Sequence, residues 1–570
     1  MLQAVPPKDR IVLERHPGVV EVIAWAAIGS LLSVLITGFV LGSSNNLFHL
    51  PIVAGLFDEP QYKDDAFIQS LRYFASGVWL LLRGSEKYID PFWLFLGLHI
   101  LTRFVAFLGF LACASLIGIR SRADIVIFIL LLSACSLSRG ASYAGAGGLF
   151  TNIFTHSELA NGLTLIALYL MARGRIAASF AMNGVVFFVN AFVAVWNAIP
   201  FAVMIADGVR RRELKLSRSL IEGAIGLAVF ALIAIPVMLN ILANPDFGKP
   251  VGFDYVGFLY GYYPNHFLAA STPPLHFFAA ALVVAGGWLS FHILGKAARP
   301  FQLMLAGYVL VYLIGVMVPL MTHSATILNL HFLRVSTFFH LLAALGVVAV
   351  ITKWLQSVDT VRARLLAPTL IVVACTVRHG GLFVPFVLLA FFETAGAKSV
   401  LAKLVERLKY LRAILLAIAA LALAYTVSST WKENRSLTAW ISEWTTVGEW
   451  ARMNTPDTAV FMVPTIDLIA NGRNKTPLAE VAEVGSSTFE ITSHRRIWVD
   501  FRRGAAVMWS ASYYDEWRGR VDEQVKLHTL DERIDLARRS GVSYVVDLCA
   551  SDNEAHAVKR TARLCVFAVQ

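Results

Sequence analysis

Apolar runs separated by short polar and basic stretches punctuate the chain at 20–41, 92–117, 125–137, 159–171, 176–188, 192–205, 221–242, 275–294, 301–320, 332–351, 365–377, 382–392 and 414–427. Helices of such residues suit a hydrocarbon core of about 30 Å when they run to roughly 20 residues. The pattern therefore predicts a polytopic α-helical membrane protein with about 13 transmembrane helices, several of them short. By hydropathy alone 176–205 could be one helix, but basic residues flank it at both ends. It is expected to turn near Asn190, with Trp196 and Asn197 close by. Short or broken helices are tolerated in a membrane where they line a cavity or are covered by neighbours.

After Val427 the pattern changes to charged, mixed sequence with strand-like AVFMVP and SYVVDL and helical patches at 441–453 and 530–539. Two domains are expected: a membrane domain, 1–429, and a small C-terminal α/β domain, 430–570.

Alternate connections carry the positive charge, including Arg120 and Arg122, Arg173 and Arg175, Arg210 to Arg212, and Lys296 with Arg299. The positive-inside rule places these in the cytoplasm together with the N-terminus. The loop 43–90 and the tail then face the extracytoplasmic side. The first apolar run lacks a cleavage pattern and is expected to act as an uncleaved anchor. Composition agrees: 57% hydrophobic, 15% charged residues, and mean hydropathy +0.64 exclude an ordinary soluble domain. The net charge of +11 is spread over short clusters instead of one patch, which excludes a nucleic-acid partner. Two of five cysteines, Cys549 and Cys565, fall in the tail, where an oxidising compartment would permit a disulfide without requiring one.

The first outward loop, NNLFHLPIVAGLFDEPQYKDDAFIQSLRYFAS, holds His49, Asp58, Glu59, Asp64 and Asp65. A connection between two helices does not need four carboxylates. Solvation of the loop would leave their clustering unexplained, so they are the candidate catalytic residues. Residues 67–82 mix aromatic, aliphatic and arginine side chains as an interfacial helix would.

Further along, His99 and Arg103 share one face of the second span, where ionisable groups point into protein or a wet cavity. A structural pair bonded to backbone is the plainer alternative. A glycine-rich loop ends in His156 and Glu158, which could cap the next helix or ligate a metal, capping being the plainer role. The aromatic loop 244–274 offers Tyr263 and His266. Arg334 stands at the entrance of the tenth span, on the outer side where orientation signals do not put it, and suits a phosphate. Lys398 to Arg412 reads as an amphipathic helix on anionic lipid.

Several stretches together, LFDEPQYKDDAF after the first span, HFLRVS late in the membrane part, and EWARMNTPDTAVFMVP with SHRRIWVDFRR in the tail, resemble the GT-C superfamily of polyprenyl-phosphate-dependent glycosyltransferases. Asp58 and Glu59 look like the acidic pair of protein O-mannosyltransferases, and Lys63, Asp64, Asp65 and Ala66 like the loop supplying the catalytic acid of oligosaccharyltransferases. The tail reads IWVDF at 497–501 where oligosaccharyltransferases carry a WWD-type signature, which argues against N-glycosylation of protein sequons.

The resemblance, which includes bacterial members of unassigned acceptor, implies an inverting glycosyltransferase in the bacterial inner (plasma) membrane. It would move sugar from a polyprenyl-phosphate donor to a glycolipid, polysaccharide or protein in the periplasm. Asp65, then Asp58, would serve as general base, with Glu59 and Asp64 beside them. Arg334, His266, Arg103 and His99 would meet the donor phosphate. His49, His156, Glu158 and Tyr263 would line the pocket or hold the acceptor. The resemblance also allows a divalent metal, Mg or Mn, bridging acids and phosphate, but no second Asp-x-Asp set occurs in 140–161, and none is expected to be required. A lipid-glycan transporter or flippase and a glycan ligase or polymerase are the alternative classes.

Overall fold

The computed structural model describes residues 18–263, 265–359, 361–376, 380–393, 403, 405–408, 410–466, 484, 487–550 and 554–569. Among these, eight helices, and not the expected thirteen, are long and apolar enough to cross a membrane. They are Val19–Thr37, Pro91–Leu116, Ala191–Arg210, Leu216–Leu242, Pro274–Leu294, Lys296–Met321, Ala325–Leu355 and Leu411–Asn454. The other five apolar runs form shorter helices: Arg122–Ala134, His156–Ala172, Ile176–Val189, Ala367–Cys375 and Val384–Glu393. Apolar character records burial as much as contact with lipid. The apolar stretch of Ala325–Leu355 is wholly buried in protein, whereas that of Leu216–Leu242 is only 17% buried.

The predicted turn at Asn190 is present. Helix Ile176–Val189 stops there because the Asn190 carboxamide oxygen accepts from the Phe192 and Val193 amides, opening the next helix. The interfacial helix expected over 67–82 is not one helix. It is Ala66–Ser70, a 3-10 turn Leu71–Tyr73, and Gly77–Leu82. The break is fixed by the Ser76 hydroxyl, which donates to the Val189 carbonyl at 2.6 Å, and by Gly77, where a Cβ would lie 2.3 Å from the Phe188 ring. Within the segment 398–412, residues 398–402, 404 and 409 lie outside the described residues.

The C-terminal part carries a five-stranded sheet in the order β2-β1-β3-β5-β4, with β1 Val460–Met462, β2 Arg496–Ile497, β3 Tyr544–Leu548, β4 Lys559–Arg560 and β5 Leu564–Ala568. Strands β2, β1 and β3 run parallel, while β5 is antiparallel to β3 and β4. One face is covered by Trp440, Trp444, Val447 and Ala451, whose spacing puts them on one side of Leu411–Asn454. That helix is about 66 Å long at 1.5 Å per residue and runs unbroken from its apolar half into the sheet domain. The other side of the domain shares a hydrophobic core with the first outward loop, joining Leu56, Phe57, Phe67 and Trp79 to Met462, Val545, Trp517 and Phe501. The acidic loop is thus part of the C-terminal domain's core.

Candidate functional site

The site is built around a short 3-10 turn, Phe332–Val335, that precedes helix Ser336–Leu355. His331 enters it in the left-handed region at φ +54°, a conformation costly for a residue with a Cβ. The glycine-rich loop closes on the turn: a Cβ on Gly145 would lie 2.2 Å from the Leu333 carbonyl, and one on Gly147 would lie 2.1 Å from Thr337 Oγ1. Only glycine allows this approach, which accounts for the loop's composition.

The turn presents Arg334. Its side chain is half-buried and makes no hydrogen bond or ion pair with any described residue, while His156 and His331 lie within its electrostatic range. His331 packs its ring on Phe267 at 4.3 Å and Phe192 at 4.8 Å, and its Nδ1 has no partner among the described residues. His156 accepts at Nδ1 from Trp79 Nε1 at 3.1 Å. Trp79 in turn stacks on His49 at 4.0 Å, and neither His49 nitrogen has a partner among the described residues. Burial holds His49 neutral, well below its ordinary pKa, with His156 adding to the effect. Trp509 of the tail roofs this cluster, 5.6 Å from Phe48 and 5.3 Å from Phe74. The roof is fastened by Asn244 and Asn329, which donate to the Trp509 and Met508 carbonyls at 2.6 Å each, and by the Ser512 hydroxyl donating to Asp246 at 2.7 Å.

An apolar groove of about 580 Å³ runs along helix Pro274–Leu294 from Phe277 to Leu289 and is lined on its other side by Val309, Tyr312 and Phe339. Twelve steps of helix from Phe277 to Leu289 make it about 18 Å long. Its upper end belongs to the site's own elements: Phe339 is five residues beyond Arg334, and the Tyr312 hydroxyl donates to the Ala144 carbonyl at 2.8 Å.

The four acids are not brought together. Asp58 is half exposed and held by Arg83 at 2.5 Å and Arg72 at 3.1 Å; the Arg83 hydrogen bond keeps its carboxyl below the usual range, burial opposes this, and Arg72 adds to it. Glu59 bonds His494 at 2.7 Å. Asp64 lies in solvent. Asp65 caps helix Ala66–Ser70 through Oδ1, which accepts from the Ile68 amide at 2.9 Å, and its Oδ2 faces Arg503 at 3.9 Å. Arg503 pairs at 2.8 Å with Glu490, and both are buried. These acids do not form an oxygen cage that a divalent metal would fit, and among the described residues no group of three or more His, Cys, Asp or Glu is placed to hold a metal ion.

Arg103 and Glu158 form a buried ion pair at 3.0 Å, with Arg103 over the Phe150 ring at 4.3 Å. The cap expected at the same place is present as well, since Thr155 Oγ1 accepts from the Glu158 amide at 3.3 Å. His99 packs on Phe39 at 5.3 Å, apart from the Arg334 turn. Tyr263 and His266 both lie close to Phe267, and His266 is within electrostatic range of His331. Trp79, His331, Glu490, Arg503 and Trp509 were not singled out from sequence. Glu490 in STFEITSHRR pairs with Arg503 nearby in the same domain, but Arg503 also faces Asp65 and Phe67, far away in the sequence, which no local pattern announces.

No family model matches the sequence, and no curated protein matches it. Among solved structures the chain is similar to ArnT from Cupriavidus metallidurans bound to undecaprenyl phosphate, at 14% identity over 97% of this chain and 99% of that one, with a TM-score of 0.44. It is similar to the apo state of that protein at 14% identity over 96% and 98% of the two chains, TM-score 0.43. It is also similar to the arabinofuranosyltransferase AftD from Mycobacteria, at 15% identity over 94% of this chain and 35% of that one, TM-score 0.37.

Proposed function

We propose that this chain is a GT-C-like membrane glycosyltransferase that takes a sugar from a polyprenyl-phosphate carrier and passes it to an extracytoplasmic glycolipid, polysaccharide or protein. The observation that carries the reading is the Arg334 guanidinium, unpaired among the described residues, on the turn that leads into the helix whose Phe339 lines an apolar groove. A partly buried charge without a protein partner is one that an arriving anion would satisfy. Arginine matches phosphate oxygens bidentately. The apolar groove lined by Phe339 of the following helix takes an aliphatic chain. A ligand that satisfies both features is an amphiphile with an anionic head, and a lipid phosphate is that.

In the transfer, an acceptor oxygen forms a bond to the anomeric carbon while the bond from that carbon to the phosphate oxygen breaks. The electron pair leaves on the phosphate, where Arg334 offsets the growing charge. Of the four loop acids we retain Asp65 as the base that takes the acceptor's proton, because its Oδ2, facing Arg503 at 3.9 Å, accepts no hydrogen bond from any described residue and its side chain is only 10% exposed. Asp58 and Glu59 are engaged by Arg83 and His494, and Asp64 is solvated. Phe67, Phe48 and Phe74 form a ring layer next to Asp65, on the way to His156. This reading requires that layer to part when a sugar reaches both ends.

A second reading, a carrier that moves the lipid-linked sugar without breaking a bond, is favoured by one observation: among the described residues no carboxylate faces Arg334. Single-turnover transfer from a labelled polyprenyl-phosphate sugar separates the two. Transfer by the native chain, lost in Asp65→Asn with folding intact, supports the enzyme. Binding of the donor without any transfer supports the carrier.

A further inference from the structure

We infer that His156 is a neutral hydrogen-bond donor to the anion at Arg334, and that Trp79 is the positioning residue that fixes its tautomer. The donor role rests on the proposal that Arg334 binds a lipid phosphate; the tautomer does not.

Trp79 Nε1 lies 3.1 Å from His156 Nδ1. An indole nitrogen only donates, so Nδ1 must accept and carries no proton. The single ring proton therefore sits on Nε2. A doubly protonated imidazolium could not accept this bond, so the ring is neutral. Its place points the same way: His156 is the first residue of helix His156–Ala172, whose N-terminal partial positive charge disfavours an imidazolium, as does the nearby Arg334.

Trp79 is held for this task. It is 2% exposed, stacked on His49 with an interplanar angle of 15°, and packed against Phe154 at 5.8 Å and Phe95 at 6.0 Å. The surfaces around the His156 ring are aromatic, with His49 at 5.4 Å and Phe74 at 5.5 Å, both nearly perpendicular to it. Nε2 makes no hydrogen bond to any described residue. An N–H without an acceptor beside a guanidinium without an anion is a matched pair of donors for an oxyanion. Because the imidazole stays neutral, it donates to a phosphate oxygen and keeps its proton. With its other nitrogen occupied by Trp79, it cannot act as the base for the acceptor.

The test uses the full chain labelled with ¹⁵N-histidine in lipid nanodiscs, with the His156 signals assigned by their loss in His156→Gln. The native protein is expected to show a protonated Nε2 and an unprotonated Nδ1 at neutral pH. Trp79→Phe, which keeps a ring and removes the N–H, is expected to abolish that single-tautomer signature. In equilibrium binding of undecaprenyl phosphate, His156→Ala is expected to weaken affinity about tenfold, the usual scale for one hydrogen bond to a charged group. His156→Gln, which restores a donor, should recover much of that loss. A protonated Nδ1 in the native spectrum overturns the tautomer, whether or not Trp79→Phe folds. Equal affinities for His156→Ala and the native chain overturn the donor role. If Arg334→Ala binds the lipid normally while the tautomer stands, the anion reading fails and the Trp79 relationship survives.

Discussion

Glu490 Oε2 lies 2.8 Å from Arg503 Nη2, with the two side chains 0% and 2% exposed, and the same guanidinium stacks over Phe67 at 4.5 Å and faces Asp65 at 3.9 Å. A charge pair of the C-terminal domain is thereby seated on the first outward loop. Burial works against the charge on Arg503, but Glu490 and Asp65 outweigh it and hold its pKa above the ordinary value.

Removing one partner leaves the other charge buried, which typically costs about 3–5 kcal/mol. Arg503→Ala is therefore expected to lower the thermal stability of the detergent-solubilised protein and open 45–90 to protease. The double variant Arg503→Met, Glu490→Leu should recover most of the loss, because apolar replacement of a buried pair is often neutral.

The same pair gives a pH dependence. Burial pushes the Glu490 carboxyl up to about 7, Arg503 opposes this, and Asp65 adds to it. The folded state holds this proton more tightly than the unfolded chain, so the contribution is fully present below the ordinary carboxylate pKa and is lost as pH rises through about 7. The melting temperature of the native protein relative to Glu490→Gln should fall between pH 5 and pH 8. A difference that grows over that range would contradict the assignment.

Asp58 and Asp65 should separate in their effects. Asp58 sits half exposed between two arginines, where such pairs contribute about 0.2–1 kcal/mol. Asp58→Asn is expected to leave both stability and transfer near native levels, while Asp65→Asn should abolish transfer. Purified variants in one transfer assay, with melting curves alongside, decide this.

What was legible in the sequence follows from the range of the forces involved. The break at Asn190 and the cap at Thr155 are local hydrogen bonds within three residues of their partners, and the pattern of residues announces both. The strands 460–462 and 544–548 show as apolar runs because they are buried in a sheet centre. The acids of the first loop were visible as a cluster, but not their separate fates. Asp58 answers to Arg83, 25 residues on, and Asp65 to Arg503 in the tail. Arg334 was legible by position alone; that it lacks a partner among the described residues is a property of the packed protein. The count of spans failed for a related reason, since a shorter helix packed among its neighbours, such as His156–Ala172, is as apolar as one wrapped in lipid.

Cys549 and Cys565 form a disulfide between the end of β3 and β5. Closing a loop with a sequence separation of 16 corresponds to about 3 kcal/mol in the chain-entropy account, and paired strands already hold the ends near each other. Reduction is expected to lower the melting temperature of the C-terminal domain by a few degrees while leaving its fold intact. Mass analysis of protein taken from membranes with thiols blocked should find the pair oxidised, as the extracytoplasmic assignment requires.

The most direct measurement is equilibrium binding of undecaprenyl phosphate to the native chain, Arg334→Lys and Arg334→Ala, with the apo melting temperature of each. Arg334→Ala is expected to lose about tenfold or more in affinity, with Arg334→Lys between, as loss of charge-assisted hydrogen bonds predicts. Its apo form should melt no lower than the native protein, because an unpaired buried charge has been removed. Unchanged affinity in Arg334→Ala, or a fall in its apo melting temperature by many degrees, would contradict the account.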